Sequence, residues 1–152
     1  MLVPSGADSA VYLQNTVFGD ENVFIDKMNE KAQEIGMYNT HFSNVTGLDD
    51  ENNYSTIEDV AKSSFWLLKD TGSLFLINRP DRLSDTIIAL NNNKLYPKYI
   101  RFILPSQNER PTMFLMQAVK SSKTQLTIME NLVVYKSKGI YSDEVSKIYN
   151  LI

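Results

Sequence analysis

The chain has 152 residues and a net charge of −3, with 43% hydrophobic and 22% charged residues, the balance of an ordinary globular domain long enough to bury a core. Its fifteen lysines and arginines are dispersed, which argues against a nucleic-acid surface, and no apolar run approaches bilayer length, so no transmembrane segment is expected. The absence of cysteine excludes disulfides, thiolate nucleophiles and Cys-ligated metals, and one histidine, His41, is too few for a His-based zinc site, so neither metal nor cofactor is expected.

Met1-Leu2-Val3 meets Pro4 before any apolar run develops, so no signal peptide is expected. Pro4-Ser5-Gly6 reads as a turn, after which Asp8 is placed to cap a helix carrying Val11, Leu13, Val17 and Phe18 as far as Gly19. A second helix starts near Asp20 and Glu21. Its apolar residues Phe24, Ile25, Met28, Ala32 and Ile35 recur at helical spacing, and Gly36 sits where a left-handed cap belongs. Residues 37–54 are rich in Asn, Thr, Ser, Gly and Asp, types that bond their own backbone, and predict a long, internally bonded loop. Ser55-Thr56-Ile57-Glu58 has capping-box spacing and opens a third helix with a stripe of Val60, Ala61, Ser64, Leu67 and Leu68.

Beyond Gly72 the pattern changes. Residues 74–77, 86–90, 99–104, 113–119 and 125–135 read as strands, with Asn91-Asn92-Asn93 as a turn and Ser142-Asp143-Glu144 starting a short final helix. Tyr96, Tyr99, Phe102 and Phe114 are expected to fill a core. Asp49, Asp50 and Glu51 read as a solvated acidic loop, since a calcium loop needs ligands at fixed alternating positions. Phosphate loops, dinucleotide fingerprints, His-Glu-x-x-His and Gly-x-Ser-x-Gly are absent.

One ordered series of residues is more specific. It runs Leu2-Val3-Pro4-Ser5-Gly6, Lys27-Met28-Asn29-Glu30-Lys31-Ala32, Met37-x-Asn39-Thr40-His41-Phe42-x-Asn44-x-Thr46-Gly47-Leu48-Asp49-Asp50, and Tyr54-Ser55-Thr56-x-x-Asp59. Over roughly the first seventy positions this resembles the serine D-alanyl-D-alanine carboxypeptidases, the low-molecular-weight penicillin-binding proteins, with Val45 where relatives usually carry proline. The fold expected is α+β, a partial penicillin-binding-protein/β-lactamase-like domain: the resemblance implies the family's helical part over 1–72, and the strand pattern alone predicts an antiparallel-leaning sheet over 73–152. Residues 1–152 would form one partial transpeptidase-like domain.

The family's chemistry rests on a Ser-x-x-Lys nucleophile pair, a Ser-x-Asn segment and a Lys-Thr-Gly strand. By resemblance Ser5 occupies the serine of the second motif, and Ala7 stands where its asparagine would be, removing an amide that binds substrate. Lys123 and Thr124 are the candidates for holding the substrate carboxylate, although Gln125 replaces the glycine; the alternative is an ordinary surface pair. No lysine has a serine three places before it, so Ser-x-x-Lys is absent.

The implied partner is a peptidoglycan stem peptide and the implied location the cell envelope. The expectation is an inactive chain, either a truncated enzyme, which would expose apolar surface and self-associate, or a non-catalytic relative that binds peptidoglycan or a protein.

Overall fold

A computed structural model describes residues 7–120 and 125–151. The chain divides into two compact units, Met1–Trp66 and Leu67–Ile152. Helices make up the first half and a mixed, largely antiparallel sheet organises the second, an α+β architecture.

In the first unit, α1 (Ala7–Val17) packs on α2 (Glu21–Glu34). Asp8 lies within the first turn of α1 and not ahead of it, and the buried residue of this helix is Gln14, while Val11, Leu13 and Val17 stay exposed. Asp20 caps α2 as its position predicts, its carboxylate accepting from the amides of Asn22 (2.8 Å) and Val23 (3.1 Å). Gly36 ends that helix at φ +84°, a conformation that costs glycine nothing and other residues a good deal.

The third helix, α3 (Ile57–Leu67), is capped by Thr56, whose hydroxyl accepts from the Asp59 amide at 3.2 Å. The predicted cap was Ser55. That residue is one place too early and its hydroxyl is used elsewhere, so the cap falls to its neighbour.

The second unit starts with β1 (Ser73–Asn78). A 3-10 turn at Pro80–Arg82 leads into α4 (Leu83–Asn92), and β2 (Leu95–Leu104) and β3 (Met113–Lys120) follow. Residues 86–90 are thus helical, which overturns the strand expected there, and Asn91 and Asn92 end a helix instead of forming a hairpin turn. The β-branched run Thr86-Ile87-Ile88 favours a strand locally, but Thr86, Ala89 and Leu90 are the buried residues, a three- and four-residue spacing that lays one helical face on β2.

The sheet order is β1-β3-β2-β4, where β4 (Thr127–Ile128) runs parallel to β2. A further short strand, β5 (Leu132–Val133), also pairs parallel with β2. A bulge between Pro97 and Tyr99 absorbs the proline. A hairpin of β6 (Tyr135–Ser137) and β7 (Ile140–Tyr141) precedes α5 (Asp143–Ile148), which Ser142 caps through the Val145 amide. Leu90, Leu95, Ile100, Phe114, Met116 and Ala118 form the core of this unit. Of the aromatics expected inside, Phe114 is fully buried, whereas Tyr99 lies on the open face of the sheet.

Candidate functional site

Residues 37–59 of the first unit form a loop whose backbone is held by side chains. Asn44 sets the tip: its Oδ1 accepts from the amides of Thr46 (3.2 Å) and Gly47 (2.8 Å), and its Nδ2 donates to Leu48 O. Gly47 sits at φ +74°, which the turn requires. On α2, Asn29 clamps the loop with both ends of its amide, donating to Phe42 O and accepting from Phe42 N, each at 2.9 Å. His41 and Tyr54 exchange backbone hydrogen bonds at 2.9 and 3.0 Å, closing the loop at its base.

Asp59 is the anchor of this arrangement. It is fully buried on α3, and its carboxylate accepts from the Asn39 amide (2.7 Å), the Thr40 hydroxyl (3.0 Å) and the Lys62 ammonium (3.0 Å). Because a carboxylate can only accept, the Thr40 hydroxyl spends its proton there, and the 2.8 Å contact with Ser55 must be donated by the Ser55 hydroxyl. Lys62 also donates to Gly36 O at 2.9 Å, tying the end of α2 into the same network. Burial by itself pushes the Asp59 carboxyl up, but the bonds from Lys62, Asn39 and Thr40 outweigh it and hold the group below the ordinary carboxylate value.

His41 occupies a structural position. Its Nδ1 lies 2.6 Å from Asn52 O, and since a carbonyl only accepts, that nitrogen carries the proton. The ring stacks on Tyr54, 6.0 Å between centroids. Among the described residues no group of three or more His, Cys, Asp or Glu side chains could hold a metal ion. Nor is any described helix long and apolar enough to cross a membrane.

Of the predicted site residues, Ser5, Lys123 and Thr124 lie outside the described residues, while Ala7 opens α1. The residues that carry the resemblance are those that hold this loop, in three sets of bonds: Asn29 with Phe42, Asn44 with Thr46 and Gly47, and Asp59 with Asn39 and Thr40. Sequence reasoning assigned no role to Asp59. The signal was its place three residues after the capping Thr56 and three before Lys62, a spacing that puts each neighbouring pair on one face of a helix.

This loop-and-helix scaffold belongs to the class of penicillin-interacting serine peptidases that the sequence resembles. The family model described as D-alanyl-D-alanine carboxypeptidase matches residues 1–102, two thirds of the chain, and the chain belongs to that family.

Similar proteins include a D-alanyl-D-alanine carboxypeptidase of Bacillus subtilis (43% identity, covering 44% of this chain and 17% of that protein) and one of Escherichia coli K12 (32%, covering 60% and 23%). A D-alanyl-D-alanine endopeptidase of Haemophilus influenzae is 37% identical, covering 64% and 32%. The chain thus spans a third or less of the length of these relatives. A solved structure described as a predicted O-methyltransferase from Agrobacterium tumefaciens shares its fold over 69% of this chain and 54% of that one, with a TM-score of 0.58 and 24% identity. That likeness concerns fold alone.

Proposed function

We propose that the first unit serves as the second-motif and loop region of a serine-type D-alanyl-D-alanine carboxypeptidase, the enzyme class that trims terminal D-alanine from peptidoglycan stem peptides through an acyl-enzyme. One observation supports this reading: the residues that carry the resemblance are the ones that hold the loop of residues 37–59. In this reading Ser5 is the vestigial second-motif serine. Lys123 and Thr124 are candidates for the substrate carboxylate, and the protein works in the cell envelope.

The 152 residues taken alone are inactive in this proposal, because a serine hydroxyl needs an adjacent base to attack and no Ser-x-x-Lys is present. Incubation with a fluorescent penicillin should leave the chain unlabelled. Stoichiometric labelling of any serine would overturn the proposal. The alternative, a non-catalytic module that binds peptidoglycan, predicts retention on purified wall sacculi without turnover. Loss of that retention in Asn29→Ala, which releases the loop, would favour it.

A further inference from the structure

The two units differ in charge far more than the chain's net value of −3 suggests. Residues 1–66 hold eleven of the eighteen aspartates and glutamates but only three of the fifteen lysines and arginines, a net charge of −8. Residues 67–152 hold the other seven acids and twelve bases, a net charge of +5. The three bases of the first unit are already paired inside it, Lys27 with Glu30, Lys31 with Glu34 and Lys62 with Asp59. Its carboxylates therefore outnumber the bases of their own unit by eight.

The units differ as much in what holds them. Among the described residues thirteen apolar ones are buried; ten of these lie in the second unit, including Leu90, Leu95, Phe114 and Met116, and three in the first, Ala32, Met37 and Ala61. Two alanines and a methionine remove little apolar area from water, and the hydrophobic gain scales with that area. The first unit relies instead on the hydrogen bonds of Asp59, Asn29 and Asn44, each of which replaces a bond to water and so adds little net stability.

We infer that the first unit is a salt-gated conformational switch: at low ionic strength its own charge opens the helices and the loop of residues 37–59, while the sheet unit stays folded. Self-repulsion rises as the square of the net charge, so it weighs more than twice as heavily on the first unit as on the second, and over fewer residues. At 0.01 M salt the screening length is ~30 Å, so carboxylates throughout a unit of this size repel one another; at 0.1 M it is ~10 Å and only neighbours do. A small unit with so few buried apolar groups has little stability in reserve, and it opens as a cooperative block separate from the sheet.

The chain carries its own probe. Trp66, its single tryptophan, lies in the first unit with the Lys31 ammonium 4.6 Å from the ring centroid, so its fluorescence reports that unit. Thermal melts of the whole chain followed by Trp66 fluorescence, with hydrogen exchange over the same temperatures read on β2 and β3, test the inference. Two transitions are expected, that of Trp66 the lower. It should rise by at least about 5 °C between about 0.01 and about 0.1 M sodium chloride, while that of the sheet moves less than half as far. Asp49→Asn/Glu51→Gln, which removes two exposed charges, should raise the Trp66 transition at low salt and flatten its salt dependence. Phe114→Ala, in the core of the second unit, should lower the sheet transition alone. A single transition seen by both probes, or Phe114→Ala lowering both alike, would overturn the inference. So would a Trp66 transition indifferent to salt, or one that falls as salt is added, since the latter would mean that attraction to positive charge, not self-repulsion, governs the first unit.

Discussion

Asp59 shows how much of the first unit depends on one charge. Its carboxylate satisfies a backbone amide, a hydroxyl and an ammonium at once, from three different stretches of chain. Asp59→Asn keeps the shape but places an amide N–H against a donor and leaves Lys62 without its charge partner; breaking such a buried pair costs about 3 kcal/mol. Thermal denaturation should register this as a marked fall in Tm. The pH dependence follows from the direction of the shift. A carboxyl held below its ordinary value in the folded state stabilises the protein above about pH 4 and ceases to do so as pH falls through the folded value, because protons then bind the unfolded chain first. Acid unfolding of Asp59→Asn should accordingly show a flatter limb below pH 4 than the parent; an unchanged limb would mean that Asp59 is not the group responsible. His41→Gln, by contrast, removes one exposed bond to Asn52 O and should cost about 1 kcal/mol with no effect on ligand retention. If stability held while retention on sacculi vanished, His41 would be a binding residue and its structural assignment wrong.

The elements differ in how legible they were, and the differences have physical causes. The start and end of α2 were readable because Asp20 and Gly36 act through local backbone chemistry that any context preserves. The loop of residues 37–54 was readable as ordered because Asn, Thr and Asp carry their own hydrogen-bond partners, whereas its anchor on α3 required knowing that residue 59 meets residue 39 across twenty positions. Helix α4 was missed because a β-branched run has the local preference of a strand; only packing on β2 decided the matter. The open face of the sheet was missed for the same reason, since alternation along β3 tells two faces apart without saying that only one is covered. A cap one residue away from its predicted place gives a sharp test. Thr56→Ala removes the acceptor for the Asp59 amide and should cost about 1 kcal/mol, visible as faster hydrogen exchange in the first turn of α3. Ser55→Ala should leave those exchange rates unchanged, its hydroxyl being directed at Thr40. Faster exchange in Ser55→Ala alone would restore the capping box expected from the sequence.

In the proposed reading of these 152 residues, family membership and catalytic competence separate. Membership rests on a scaffold network that is present, while acylation of a serine rests on an activated nucleophile, and no stretch of these 152 residues carries the Ser-x-x-Lys pair that activates it in this family. Groups that act as a unit in catalysis are strongly non-additive, so restoring one member while another is missing recovers little. Ala7 makes this testable, because it opens α1 at the place where the resemblance puts the substrate-binding asparagine. Ala7→Asn returns the amide without returning a nucleophile. The variant should therefore remain unlabelled by fluorescent penicillin and release no D-alanine from a D-Ala-D-Ala peptide, like the parent chain. Penicillin labelling that appeared with this single change would show that a serine already present, Ser5 or another, is activated by some other base, and the separation of scaffold from chemistry would fail.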